Sequence, residues 1–164
     1  MINKIIFLFV TLFGIGKIRK IPGSIASLAT TIFLFFLLHI LKISPNFVLI
    51  FIIIIFFISL YAVNIFIKDL DNKDPKEVVI DEFIGQSIPI CLYEIAHEGT
   101  KETSQILTSY FIMFILFRVF DIVKPYPVSY YDKKFKNSFG VIMDDVCAGL
   151  YVVAVLVLYM VINS

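Results

Sequence analysis

The feature that most constrains this chain is a stretch without any charge, residues 43–67, which contains FVLIFIIIIFFISLYAVNIFI. A helix of roughly 20 mostly apolar residues is long enough to cross the hydrocarbon core of a bilayer. Isoleucine runs can also form strands, but an open sheet in lipid would leave backbone groups unpaired. The whole chain is 60% hydrophobic, above the roughly 45–50% of soluble domains. We therefore expect a helical membrane protein.

Other apolar segments flank this stretch: SIASLATTIFLFFLLHIL before it, and VVIDEFIGQSIPICLY, ILTSYFIMFILFRVFDIV and GVIMDDVCAGLYVVAVLVLYMVI after it. Pro89 lies inside one of them and should kink it. The N-terminal MINKIIFLFVTLFGIG has no small-residue cleavage site and predicts a short uncleaved helix at the membrane surface. The sequence thus predicts an all-α, polytopic membrane helical bundle. It would have about four spanning helices plus a short N-terminal interfacial helix, in a single domain covering residues 1–164.

Lysine and arginine are unevenly distributed among the connections between these segments. One set of connections carries most of them: Lys17, Arg19, Lys20, Lys68, Lys73, Lys76, Lys124, Lys133, Lys134 and Lys136. The other set contains Lys42 and Lys101. Because basic loops are retained on the cytoplasmic side, we expect the first set there. This pattern predicts a multi-pass protein of the inner (cytoplasmic) membrane.

Charged residues also stand at the ends of the apolar segments. If consecutive segments alternate in direction, these ends all lie at the cytoplasmic mouth of the bundle. The residues concerned are Ser24, Asp81, Glu82, Arg118, Asp121, Lys124, Asp144 and Asp145. A lone carboxylate at the centre of a membrane helix costs at least about 2.5–3.5 kcal/mol. The adjacent Asp144 and Asp145 therefore require either a positive partner or a position at the water boundary.

Two acidic pairs, Asp81–Glu82 and Asp144–Asp145, are suited to a divalent cation. Hard cations such as Mg²⁺ bind carboxylate oxygens, with water and substrate phosphate completing the shell. We predict these four residues as metal ligands, with Asp121 as a further ligand or the base. A small residue stands four positions after three of these acids, on the same helix face; these are Gly85, Ala148 and Gly149. Small residues there allow neighbouring helices to approach closely.

The basic residues near these acids are suited to phosphate. Arg118, Asp121 and Lys124 recur at i, i+3 and i+6 and project from roughly one side of a helix. Arginine offers a planar fork to phosphate and lysine a point charge. Ser24 could cap the helix that begins after Pro22-Gly23, and a helix N-terminus can seat a phosphate. The set predicts metal-assisted phosphoryl chemistry at the membrane face.

Simpler interpretations of individual charges remain open, since acids and bases near helix ends can be solvated or paired between helices. Solvation accounts for the acids of one polar loop: Asp69, Asp71, Asp74 and Glu77. His39 is expected to be a polar residue of the bundle interior or interface, far from the chemistry, and His97 to be exposed in a loop. A histidine base is therefore not expected. Cys91 and Cys147 are far apart in the sequence and lack the spacing of metal ligands, so we expect both to be buried packing residues.

Four motifs resemble those of the phosphatidylglycerophosphatase A family. They are PGSIASL, DPKEVVIDEFIG, FRVFDIVKPYPV and GVIMDDVCAG, in the family's order and covering most of the chain. FRxFDxxKPxP followed by GxxxDD is the most specific part. The chain departs from the family pattern at several places. Arg19 stands near the position where the family has a further proline, Ser24 and Ala26 replace the usual Thr and Gly, and Asn137-Ser138 stands where Gly-Gly is common.

The resemblance implies a Mg²⁺-dependent membrane phosphatase that converts phosphatidylglycerophosphate to phosphatidylglycerol and phosphate in phospholipid biosynthesis. Position by position, the motifs carry over to Asp81 and Glu82, to Arg118, Asp121 and Lys124, and to Asp144 and Asp145. Chemistry then suggests Asp121, Asp144 and Asp145 as catalytic residues, and Ser24, Arg118 and Lys124 as ligands of the substrate phosphate.

Several points stay open at this level. Attack by water and an aspartyl-phosphate intermediate are both compatible with the residues. Acyl-chain preference and oligomeric state are undetermined, and the expected partners are membrane lipid and the lipid substrate. A net charge of +1 offers no basic surface for nucleic acid. The alternative function is a cation-binding membrane transporter or channel subunit, which would place acids near the bilayer midplane.

Overall fold

The computed structural model of the protein describes residues 4–97 and 102–162, whose regular structure is helical and without strands, as predicted. The α-helices are α1 (Lys4–Val10), α2 (Pro22–Phe35), α3 (Pro45–Ile67), α4 (Ile80–His97), α5 (Thr103–Val123), α6 (Val128–Lys134) and α7 (Ser138–Ile162). A 3-10 turn follows α1 at Ile15–Lys17, and a π-helical turn at Phe36–Ile40 extends α2.

Among the described residues, four helices are long and apolar enough to cross a membrane: α2 with its π-helical turn, α3, α5 and α7. This confirms the predicted polytopic membrane bundle. The short N-terminal helix is also present as α1. The end of α1 is held in the bundle, because Val10 is fully buried and its carbonyl accepts the Val79 N–H at 3.0 Å.

Helix α4 differs from these four helices because protein surrounds it. It packs against α2, α3, α5 and α7. Its buried side chains include Asp81, Gln86, Ser87 and Glu94, which would be costly in contact with lipid. The helix continues through Pro89. The polar character of this segment is thus compatible with a membrane bundle because the other helices shield it.

Helices α4 and α7 approach each other closely at two glycines. Pro89 has no N–H, so the Gly85 carbonyl lacks its usual helical donor. Gly149 lies against that carbonyl, and a methyl group at position 149 would overlap its oxygen. A methyl group at position 85 would lie 2.6 Å from the Asp145 carbonyl oxygen. The close approach predicted from the small residues is confirmed here, and it sets the acidic ends of α4 and α7 side by side.

Candidate active site

One cavity of about 520 Å³ opens at the end of the bundle where α2, α4 and α7 begin and α5 ends. We call it the acidic cavity. It is lined by all eight residues predicted for the site: Ser24, Asp81, Glu82, Arg118, Asp121, Lys124, Asp144 and Asp145. Charged residues from segments far apart in sequence therefore lie at one end of the bundle, as the alternation of helix directions predicted.

Three carboxylates form the centre of the acidic cavity. Asp81, Glu82 and Asp145 each offer one oxygen within 4.8 Å of the others. Asp81 and Asp145 are 7% and 3% exposed. Within the described residues, Glu82 Oε2 is buried and has no hydrogen-bond partner. Repelling carboxylates with an unpartnered oxygen fit a hard divalent cation such as Mg²⁺, which takes oxygen ligands.

Asp144, the fourth predicted metal ligand, is engaged differently. Its Oδ2 accepts a hydrogen bond from Lys124 Nζ at 2.7 Å, and its Oδ1 accepts the Asp145 N–H at 3.0 Å. Lys124 Nζ also donates to Asp132 Oδ1 at 2.7 Å. The structure therefore groups three of the four predicted ligands and couples the fourth to a lysine.

Lys124 reaches this position through its backbone. It ends α5 with φ +48°, in the left-handed region, while its N–H still bonds the Phe120 carbonyl at 2.9 Å. A non-glycine residue rarely adopts this conformation, and such strain is concentrated at functional sites. Burial alone would lower the pKa of Lys124, but the Asp144 and Asp132 carboxylates raise it above its ordinary value. The side chain is therefore a permanent cation at physiological pH.

Arg118 is the second cation of the acidic cavity. Its Nη1 lies 2.9 Å from Asp121 Oδ2 and 3.4 Å from Ser27 Oγ, whereas Nε is buried without a partner among the described residues. Gly23 makes room for this arrangement. A methyl group there would overlap Glu82 Oε1 and lie 3.3 Å from Arg118 Nη1.

The predicted cap of α2 by Ser24 is wrong. The helix already begins at Pro22, and Ile21 is the N-cap, with φ +49° and no side-chain capping bond. Proline suits the first helical position because its missing N–H would have no partner there. Ser24 instead lies in the first turn and lines the acidic cavity. The first helical bond runs from the Ile25 N–H to the Ile21 carbonyl, so the Gly23 and Ser24 N–H groups have no helical acceptor.

Sequence reasoning missed other residues at this site. Asp132 lies on α6, outside the four motifs, and no sequence pattern pairs it with Lys124. Asp74 was assigned to solvent with the other acids of its loop. The structure confirms exposure for Asp69, Asp71 and Glu77, whereas Asp74 is exposed and also lines the acidic cavity. Asp74 belongs to the DPKE part of the motif that continues into the acidic pair of α4, and this position could have indicated that it lies near the site.

Both histidines lie at the opposite end of α4 from the acidic cavity. His39, on the π-helical turn, has Nε2 3.3 Å from Glu94 Oε1 and 3.3 Å from Tyr110 Oη. This confirms the prediction of an interior polar residue away from the site. His97 was predicted in an exposed loop, and that prediction is wrong. It is the last residue of α4, half-buried, with Nδ1 2.8 Å from the Tyr93 carbonyl oxygen.

The chain is similar to known proteins over most of its length. Residues 8–160 match the family model described as phosphatidylglycerophosphatase A. Phosphatidylglycerophosphatase A of Haemophilus influenzae is 37% identical over 87% of the chain and 81% of its own length. Phosphatidylglycerophosphatase A of Escherichia coli is 28% identical over 84% of the chain and 73% of its own length.

A third similar protein is the putative phosphatidylinositol-3-phosphatase of Bacteroides thetaiotaomicron, 39% identical over 49% of the chain and 45% of its own length. No solved structure matches the chain. The family model covers nearly the whole chain, including every motif that contributes to the acidic cavity. The chain therefore belongs to the phosphatidylglycerophosphatase A family, a family of membrane phosphatases.

Proposed function

We propose that this protein is a Mg²⁺-dependent lipid phosphatase. It hydrolyses phosphatidylglycerophosphate to phosphatidylglycerol and phosphate, as a step of phospholipid biosynthesis. The observation that carries the proposal is the grouping of three carboxylates with Arg118 and Lys124 around one cavity. The substrate is suggested by the names of the Haemophilus and Escherichia relatives.

Asp81, Glu82 and Asp145 would hold the Mg²⁺, because their oxygens converge and one of them lacks a partner in the described chain. When bound, the ion supplies Lewis-acid stabilisation of phosphoryl oxygens. Arg118 and Lys124 bind the terminal phosphate and offset the charge that develops on it. The Gly23 and Ser24 N–H groups, at the start of α2, offer further donors to its oxygens.

Two other aspartates act beside these cations. Asp144 uses both oxygens for Lys124 and the Asp145 N–H, so it orients the lysine. Asp121 pairs with Arg118 through Oδ2, and its other oxygen can accept the proton of an attacking water. Attack by an aspartate instead of water remains an alternative route, which trapping of a phosphorylated protein after acid quenching would reveal.

We further propose that the protein resides in the inner membrane with the acidic cavity facing the cytoplasm. Arg19, Lys76 and Lys124 line this cavity, so three of the basic connections meet at its end of the bundle. Lys42 lines a cavity beside His39 and Glu94, at the other end of α4. The positive-inside rule favours the cytoplasm for the first group. Cysteine labelling at position 20 and position 42 from each side of the membrane tests this orientation.

Phosphate release from short-chain phosphatidylglycerophosphate tests the activity. The purified protein is expected to release phosphate with Mg²⁺, to stop in EDTA, and to resume when Mg²⁺ is restored. An unchanged rate in EDTA would contradict the metal dependence, and no release with Mg²⁺ would contradict the activity itself. The transporter or channel alternative predicts no phosphate release under any of these conditions.

A second substrate follows from the Bacteroides relative, whose name contains phosphatidylinositol-3-phosphatase. Both lipids present a phosphate monoester at the end of a headgroup that also contains a phosphodiester. Phosphatidylinositol 3-phosphate is therefore the informative competitor in the same assay. We propose phosphatidylglycerophosphate as the preferred substrate, because the two relatives with this activity in their names match most of the chain.

A further inference from the structure

A second cavity adjoins the acidic cavity at the same end of the bundle. Its volume is about 830 Å³, and part of its wall is apolar, formed by Phe7, Ile18, Phe66 and Leu70. We call it the interfacial groove. Among the residues that line both spaces are Arg19 and Lys76. The two cavities therefore meet at a shared rim that carries two basic side chains.

The cations of this rim differ from those deeper in the acidic cavity. Arg118 and Lys124 are bonded to Asp121 and to Asp144 and Asp132. Arg19 and Lys76 are exposed, and neither makes an ion pair or side-chain hydrogen bond to the part of the chain that the structure describes. Their charge is thus available to an anion that lies between the two spaces.

The proposed substrate has such an anion. Its terminal monoester, at Arg118 and Lys124, is joined through a glycerol to a phosphodiester, and the diester is joined to the diacylglycerol. The order of groups along the lipid matches the order of surfaces in the protein. With the monoester in the acidic cavity, the diester would face the rim and the glyceride would face the apolar wall of the interfacial groove.

We propose that Arg19 and Lys76 form a subsite for the phosphodiester of the lipid headgroup and so select lipids that carry a diester behind the scissile phosphate. This inference rests on the proposed function for the identity of the lipid. Arginine binds phosphate through a fork of donors and lysine through a point charge. The subsite also contributes to binding the product, phosphatidylglycerol, which keeps the diester and has lost the monoester.

Binding measurements separate the subsite from the reaction. Short-chain phosphatidylglycerol probes the rim, and inorganic phosphate with Mg²⁺ probes the acidic cavity. The affinity for each ligand is measured by calorimetric titration of the full-length protein in detergent. Arg19→Ala and Lys76→Ala are each expected to weaken phosphatidylglycerol binding about tenfold. Phosphate binding should change less than twofold. Arg19→Lys should retain most of the affinity, because the charge remains.

The matched control is Lys20→Ala, which removes an exposed basic residue next to Arg19 that lines neither cavity. It should leave both affinities unchanged. The inference is overturned if Lys20→Ala weakens phosphatidylglycerol binding as much as Arg19→Ala does, if neither rim variant weakens it, or if the wild-type protein does not bind phosphatidylglycerol. Failure to release phosphate from phosphatidylglycerophosphate would instead overturn the proposed function, and the binding data would still report on the rim.

Discussion

The two ends of α4 both carry buried acids, and the groups that surround these acids differ. At the start of the helix, Asp81 and Glu82 meet Asp145, while the cations nearby are bonded to other aspartates. At its end, a single acid, Glu94, lies 3.3 Å from His39 Nε2 through its Oε1, which makes no hydrogen bond within the described residues; His39 Nε2 also lies 3.3 Å from Tyr110 Oη. A buried carboxylate is stable only with a compensating partner. The two ends therefore differ in the number of acids: three carboxylates converge and repel one another at the first end, whereas the second end has one carboxylate beside a histidine.

This difference suggests how function and stability are divided along one helix. Several acids and bases that converge in one cavity are typical of functional sites. A single acid beside a histidine, far from that cavity, is typical of a structural contact. Substitutions at the first end should therefore reduce phosphate release, and substitutions at the second end should mainly reduce stability.

Asp145→Asn is expected to have the largest effect on activity. It removes one of three converging carboxylates, and loss of a metal site worth several kcal/mol of stabilisation corresponds to about 10³-fold in rate. Thermal stability without metal should be unchanged or higher, because like charges are relieved. Stabilisation by added Mg²⁺, measured by thermal unfolding, should disappear. Retained Mg²⁺ stabilisation in this variant would exclude Asp145 as a ligand.

Gly149→Ala should impair both activity and stability. The added methyl group would overlap the Gly85 carbonyl oxygen, so α4 and α7 must separate. Overpacking of this kind costs about 1–3 kcal/mol, and a displacement of about 1 Å near the chemistry costs about 10²-fold. The control is Leu150→Ala, an exposed neighbour on the same helix. Equal effects of both substitutions would contradict the role of the glycine contact.

Asp132→Asn should reduce activity about tenfold. Lys124 would keep its bond to Asp144 but lose its bond to the second carboxylate. A hydrogen bond to a charged group contributes about 1.5–3 kcal/mol, and the contribution of this bond is smaller because Asp132 is partly solvated. The reduction should occur mainly in KM for the lipid, since the lysine is expected to bind ground-state phosphate. Lys133→Ala on the same helix, exposed to solvent, is the control. A variant with normal kinetics would show that Asp144 alone orients the lysine.

His39→Ala should change phosphate release less than about twofold and still lower the melting temperature. The substitution removes the basic side chain beside Glu94, which should lower the free energy of unfolding by about 1–3 kcal/mol. For a chain of this size, each kcal/mol corresponds to about 2–4 °C in melting temperature. A double-mutant cycle with Glu94→Gln would measure the coupling. Loss of activity at an unchanged melting temperature would contradict the assignment of this end to stability.

Much of the fold was predictable because lipid imposes strong rules on sequence. Membrane helices are predicted directly by the uncharged stretch of α3 and by the apolar stretches of α2, α5 and α7. Alternation of helix direction then brings residues 24, 81, 118 and 145 to one end without any knowledge of packing. The buried position of α4 was harder to predict from sequence, because its polar residues are compatible with a membrane protein only when other helices surround them.

The details that sequence reasoning missed depend on the connections and on side-chain partners. Asp132 belongs to a short helix whose contact with α7 no motif predicts, and Asp74 belongs to a loop that lines the acidic cavity. Ser24 resembled a cap because of its residue type, but the backbone already turns at Ile21 with a positive φ. His97 resembled a loop residue because the segment after it is polar, although α4 extends to include it.

The sequence by itself determined that this chain is a membrane helical bundle with its acids and bases at one end, because hydropathy and helix alternation leave little freedom. Only the tertiary structure decided which acid meets which base. That choice depends on the contact between Gly85 and Gly149, on the left-handed turn at Lys124 and on the placement of α6. Electrostatic and hydrogen-bond energies change over a few ångströms, and distances of that size are set by packing.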